Sequence, residues 1–198
     1  MSRSRARDRL GAANSAARWG WVSRLLHWVT AALVLFQLGL GLWMTSFAAD
    51  LSERFRLTQV HKSWGVVIFV LALARVAWRL ANRAAPGMPA GTPAWQVRAA
   101  AASHRLLYAL LLVMPLSGWA AAAASPLQDL LGIDNTAFGM VLPDPWVPGD
   151  AAVEAVAQAT HFWCAWLLTV VLALHVGAAL KHHFVDRDDV LARMTWGR

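Results

Sequence analysis

The sequence predicts an all-α integral membrane protein, a four-helix bundle with both ends on the cytoplasmic side. Three observations carry that expectation. Of 198 residues, 58% are hydrophobic and 15% charged, where a soluble domain carries about 25% charged residues. The apolar residues gather into four runs, and the basic residues gather at the ends of those runs that face one side. Such a composition argues against a cytosolic globular enzyme. A single cysteine, Cys164, excludes a disulfide framework, and its apolar neighbours suit a small packed thiol. The net charge of +7 would suit nucleic acid in a soluble protein, but its distribution follows membrane topology instead, and no nucleic-acid partner is expected.

Each run is long enough to cross about 30 Å of hydrocarbon, which takes roughly 20 helical residues. The first extends from about Leu26 to Phe47. It follows a basic start and ends in small residues, as a signal peptide would, but about 22 apolar residues exceed a signal's core of 7 to 15. The second, about Val60 to Leu80, carries Arg75 and Arg79 near its end, where long basic stems can snorkel to headgroups. The third runs from about Ser103 to Ala124 and the fourth from about Ala157 to Leu180. Pro86, Gly87, Pro89, Gly91 and Pro93 mark the loop between spans two and three, and Pro143, Pro145, Pro148 and Gly149 punctuate the loop between three and four.

Orientation follows from Lys and Arg, which concentrate on the cytoplasmic side. Arg3, Arg5, Arg7, Arg9, Arg18 and Arg24 precede or open span one; Arg75, Arg79, Arg83, Arg98 and Arg105 flank the second connection; Lys181, Arg187, Arg193 and Arg198 follow span four. Between Arg105 and Lys181 there is no Lys or Arg, while Asp129, Asp134, Asp144, Asp150 and Glu154 fall there. That loop is expected outside. Residues 1–18, rich in Arg, Ser and Ala, read as a disordered cytoplasmic start suited to anionic lipid headgroups, and residues 19–198 as the membrane domain. The expected setting is a membrane crossed several times.

The chemistry lies in the histidines. Of seven, His27, His61, His104, His161 and His175 fall within or at the ends of the spans, where an ionisable side chain is costly and marks function by default. One such residue is ordinarily a hydrogen-bonded interfacial group; five in four helices are not so easily dismissed. His27 lies at the inner end of span one and His61 at the outer end of span two. Span four carries both His161 and His175, whose 14-residue separation gives about 21 Å of rise and nearly four full turns, so both face one way. The depths pair His27 with His175 inside and His61 with His161 outside.

Two imidazoles per level suit low-spin haem iron, whose other four ligands are porphyrin nitrogens. Structural zinc takes four protein ligands and catalytic zinc three. Two b haems stacked across the bilayer are the expectation. Gly39, Gly41, Gly65, Gly118 and Gly177 offer either clearance for a macrocycle or close helix packing. The 12 Trp residues read mostly as interfacial belts.

The segments LLHWVTAALVLF, VHKSWG, HRLLYALLLVMPLSGW, AFGMVLP and HFWCAWLLTVVLALHVGAALKHHF resemble the bacterial cytochrome b561 family over about Trp21 to Arg193. The resemblance implies a four-helix membrane protein with two b haems whose ligands match His27, His61, His161 and His175. It further implies superoxide as electron donor and ubiquinone, from the quinone pool, as acceptor. Related cytochrome b subunits anchor dehydrogenases, so a redox partner protein is the alternative, and a haem-free proton or metal carrier is a third. The short outer loop favours a free-standing protein, with an insertion-like stretch around Leu127 to Asn135.

Remaining residues complete the expected site. His104 opens span three at the depth of His27 and could compete as an axial ligand, a use the resemblance does not imply; it suits either a quinone or proton ligand, as do His182 and Arg24, or a hydrogen-bonded interfacial histidine, and a solvated cationic cap on the last helix is the plainer reading of His182 and His183. Arg54, Arg56 and Lys62, in an outer region otherwise rich in carboxylates, are the candidate catalytic-site cations. They form either a positive funnel for superoxide or contacts with headgroups and with Asp50 and Glu53.

Overall fold

A computed structural model of the chain describes residues 11–143 and 149–195. Arg3, Arg5, Arg7, Arg9, Asp144, Pro145, Trp146, Pro148 and Arg198 lie outside the described residues. The four expected spans are helices: α1 (Trp21–Ser46), α2 (Leu51–Ala81), α3 (Ala94–Ala123) and, after a short α4 (Pro126–Leu131), α5 (Ala151–Lys181). Each of the four long helices is long and apolar enough to cross a membrane. All begin before the apolar run does, because flanking turns that a hydrophobicity count discards are still helical. Arg54 and Arg56, placed by the sequence in an outer loop, therefore stand on the opening turns of α2.

Local chemistry sets these starts. Asp50 caps α2, its Oδ1 accepting the Glu53 N–H at 2.8 Å, while Glu53 Oε2 accepts the Ala49 N–H at 2.7 Å. This reciprocal arrangement satisfies N–H groups that have no partner within the helix. Asp150 caps α5 through the Ala152 and Val153 N–H groups. Gly20 supplies no side chain at the start of α1, and Asn14 substitutes: its Oδ1 accepts the Gly20 N–H at 3.0 Å and the Ser23 hydroxyl at 2.6 Å. Asn14 also bonds twice to Asn82, the residue that ends α2. Asn14 thus ties residues 11–18 to the start of α1 and the end of α2.

The described ends meet at one end of the bundle. After α5 the chain takes a π-helical turn at His182–Asp186 and then runs back under α1, where Arg24 Nη1 donates to Thr195 O at 2.5 Å and Trp28 Nε1 to Met194 O at 2.7 Å. At the other end, Thr136–Ala137 and Met140–Val141 form a two-residue hairpin with Phe138 and Gly139 in its turn, both at positive φ (50° and 76°). This primed turn matches strand twist but strains a non-glycine residue. Phe138 is held there because its N–H donates to Ser63 Oγ at 2.9 Å and its ring packs edge-on against Trp64. The insertion-like stretch is α4 and the turn after it, closed by Gly132 at φ 60°.

Helix α1 packs along α2, α2 along α3 and α3 along α5, whereas α5 has no comparable backbone contact with α1 or α2. The buried core lies at mid-depth: Val34, Ile68, Ala72, Leu110, Leu111 and Leu168. Leu168 is seven residues from both His161 and His175. Large side chains such as Leu35, Leu42, Trp163 and Leu174 point outward, as lipid contact demands.

Candidate functional site

Two pairs of imidazoles face each other across the space between α5 and the α1–α2 pair. The His27 and His175 ring centroids are 6.3 Å apart, those of His61 and His161 6.1 Å. A metal about 2.0 Å from an imidazole nitrogen lies about 3.2 Å from the ring centroid, so two trans imidazoles on one metal have centroids roughly 6.4 Å apart. Both pairs are close to that separation. The helices bearing each pair do not pack closely, so the approach is made by side chains alone.

The His61–His161 pair is braced from behind. His161 Nδ1 lies 2.9 Å from Met114 O, to which it donates, and 3.3 Å from Ser117 Oγ. Donation from Nδ1 fixes the tautomer and leaves Nε2 with its lone pair free, the usual arrangement of a ligating histidine. The acceptor belongs to the turn around Pro115, a residue without an N–H, and Ser117 Oγ also donates to Met114 O at 2.8 Å. Gly118 lies against the same ring: a Cβ there would stand 3.1 Å from His161 Cε1 and Nδ1, while one at Gly41 would stand 3.5 Å from His61 Cε1. Gly65 faces Gln37, and Gly39 and Gly177 face nothing within 4 Å. Gln37, buried in mid-span, donates through Nε2 to His61 O at 2.7 Å. His61 Nδ1 is buried and has no hydrogen-bond partner, which costs about 1–3 kcal/mol unless a ligand engages the ring.

At the other end three imidazoles gather. His104 stands edge-on to His175 with centroids 5.2 Å apart, too close for the two to be trans on one metal. Arg24 and His182 do not join this group: Arg24 is engaged with Thr195 O, and His182, buried rather than solvated, pairs with Asp188 at 2.6 Å and Asp186 at 3.3 Å. Arg79 snorkels as expected, donating to the carbonyls of Asn82, Arg83 and Ala84. Arg75 does not. Its Nη1 turns to Leu26 O at 3.2 Å and its guanidinium lies over the Tyr108 ring.

The three cations early in α2 divide by face. Arg54 precedes His61 by two turns on nearly the same side, Lys62 is about 100° around the helix from it, and Arg56 about 140° away. The carboxylates of Asp50 and Glu53 are committed to capping, and among the described residues none lies within ion-pair distance of Arg54 or Arg56.

Four apolar helices with facing histidine pairs find their counterpart among known proteins. Residues 18–197 match the prokaryotic cytochrome b561 family. The chain belongs to that family. Cytochrome b561 homolog 2 of Escherichia coli (strain K12) is 34% identical over 182 residues, 91% of this chain and 93% of that protein. Cytochrome b561 homolog 1 of the same strain is 28% identical over 85% of this chain and 92% of its own length. A probable superoxide oxidase, CybB, of Yersinia pestis is 27% identical over 85% of this chain and 90% of its own. Membrane electron transfer with b-type haem is the property of the family, and the donor set fits that group: imidazoles facing at coordination distance, a braced tautomer on His161, and apolar walls.

Sequence reasoning passed over Met114, Ser117, Gln37 and Tyr108, and took Arg75 only for a snorkelling residue, where its side chain turns inward instead. Gln37 and Arg75 carried a visible signal, being polar groups inside apolar runs. The Met114 carbonyl carried none, since any backbone offers one.

Proposed function

We propose that this cytochrome b561 carries two b haems, one ligated by His27 and His175 near the cytoplasmic surface and one by His61 and His161 near the periplasmic surface. It takes electrons from superoxide outside and delivers them to ubiquinone inside. The observation that carries this reading is the pair of imidazole separations, 6.3 and 6.1 Å, at two depths of one helix. Haem supplies reversible one-electron exchange when bound. The chain supplies the ligands, the apolar layer around Leu168 that keeps water from the space between the pairs, and the charges at either mouth. Its orientation, with both ends inside, rests on the distribution of Lys and Arg.

At the outer mouth Arg54 and Lys62, with a smaller contribution from Arg56, attract the superoxide anion. Two superoxide ions lose one electron each and leave as neutral oxygen. At the inner mouth ubiquinone gains two electrons and two cytoplasmic protons to become ubiquinol, with His104 as hydrogen-bond donor to a quinone carbonyl. Arg24 and His182 border that mouth, where their engagement with the C-terminal segment makes them supports of the quinone pocket. The relative described as a probable superoxide oxidase supports this choice of substrate.

Single His→Ala variants at the four ligand positions test the reading by haem quantification and reduced-minus-oxidised spectra. Each is expected to lose one of two haems, His61 and His161 the same one, His27 and His175 the other. A variant that keeps two low-spin haems removes its residue from the ligand set. Wild-type protein whose haems are inert to superoxide but reduced by a co-purifying dehydrogenase would make it an anchor subunit.

A further inference from the structure

The inner end of the bundle holds a cation for which no described residue provides a counter-ion. Arg75 leaves α2 six residues before its end at Ala81, about 9 Å of helical rise inside it. It turns inward instead of snorkelling. Nη1 takes the Leu26 carbonyl beside His27, and the guanidinium carbon stands 5.4 Å from the centre of the Tyr108 ring on α3. Nε is buried and has no hydrogen-bond partner.

Every described carboxylate at this end is already engaged. Asp186 pairs with Lys181, Asp188 with His182 and Asp189 with Arg193. The other described acids, Asp50, Glu53, Asp129, Asp134, Asp150 and Glu154, belong to the opposite end. A guanidinium left unpaired among apolar helices is costly. One whose planar fork is held by a carbonyl on one side and an aromatic face on another presents its remaining donors to a carboxylate, the group that fork matches.

We propose that Arg75, backed by Tyr108, clamps a carboxylate side arm of the haem ligated by His27 and His175. The inference rests on the ligand assignment above. Haem b carries two such carboxylates, and an Arg in this place fixes the rotation of the macrocycle and neutralises one of them. Arg75 is then a positioning residue that holds the inner site's reduction potential up, because the reduced iron carries one positive charge fewer and a nearby cation favours it. Arg79 cannot substitute, being committed to the carbonyls that end α2.

The test is a redox titration of wild-type, Arg75→Gln and Arg75→Lys proteins, with His27→Ala and His61→Ala identifying the inner and outer waves, and resonance Raman spectra of the propionate bending mode. Arg75→Gln should lower the inner reduction equilibrium on the order of tenfold, 59 mV for one electron. It should move the bending mode and leave the outer wave in place. Arg75→Lys keeps the charge but not the fork, so it should recover most of the potential with the bending mode still shifted. Should Arg75→Gln lose the inner haem, the lysine variant decides: inner haem retained supports the clamp, and inner haem lost overturns it. Equal shifts in both variants would trace the effect to the lost Leu26 contact and overturn the clamp. Unchanged potentials and bending mode with slower quinone reduction would assign Arg75 to the quinone. If His27→Ala keeps both waves, the ligand assignment fails instead.

Discussion

Gly118→Ala should disturb the outer histidine pair, and its size can be worked from the geometry. The added Cβ would stand 3.1 Å from two atoms of the His161 ring, where ordinary contact begins at 3.4 Å. The ring must therefore retreat by about 0.3 Å, against the 2.9 Å bond that ties it to Met114 O. Overpacking of this kind costs about 1–3 kcal/mol, and a lengthened hydrogen bond up to about 1 kcal/mol more. Replacing a mid-helix glycine by alanine returns about 1 kcal/mol. The balance is a loss between zero and about 3 kcal/mol at that site, centred on about 1.5 kcal/mol, roughly 10-fold in its equilibrium. Gly41→Ala supplies the comparison, since its Cβ would meet His61 at an ordinary 3.5 Å and the helix gain should prevail. Thermal loss of the Soret band and low-spin electron paramagnetic resonance of the two variants measure the effect. Should Gly118→Ala match Gly41→Ala in haem retention and spectrum, the seating of His161 against α3 described above is wrong.

Further outcomes follow from the same geometry. His104→Ala should keep both haems and raise the KM for quinone, since its ring is too close to His175 to be trans to it; loss of a haem in that variant would mean that the inner pair is wrongly chosen. Replacing Arg54, Arg56 and Lys62 together by Gln should slow haem reduction by superoxide by on the order of 10-fold or more and flatten its salt dependence. Reduction by a neutral donor should not change, and an unaltered superoxide rate would reduce the three to headgroup contacts. Ser63→Ala strands the Phe138 N–H and should cost about 1–2 kcal/mol locally, seen as faster hydrogen exchange over residues 134–142 with no change in haem content.

The four spans were legible because lipid imposes a coarse requirement, length and apolarity, that any window of about 20 residues reports. Their true starts were not, since Asp50, Asp150 and Asn14 act through single hydrogen bonds that leave no trace in hydropathy. The outer hairpin was illegible for a related reason. Its turn holds phenylalanine where asparagine or aspartate would have announced it, and the strain is met by Ser63 and Trp64, 75 and 74 residues away in sequence.

The site divides along the same line. Which histidines face each other followed from depth and helical phase, quantities that a rigid helix transmits over its whole length, so 14 residues of spacing on α5 fix two levels at once. What braces each imidazole does not follow, because a carbonyl such as that of Met114 is defined by where two helices touch. The same distinction explains the arginines. Arg75 and Arg79 are one turn apart and indistinguishable as basic residues near the end of a span. Arg79 finds three free carbonyls where α2 stops and stays at the surface. Arg75, one turn deeper, has the Leu26 carbonyl and the Tyr108 ring within reach and turns toward the histidines. A charge that remains within the apolar part of a bundle does so because other helices supply partners for it, and among the described residues those supplied to Arg75 are neutral. With the balancing anion on a bound group, as proposed above, occupancy of the inner site and the placement of Arg75 become a single energetic problem.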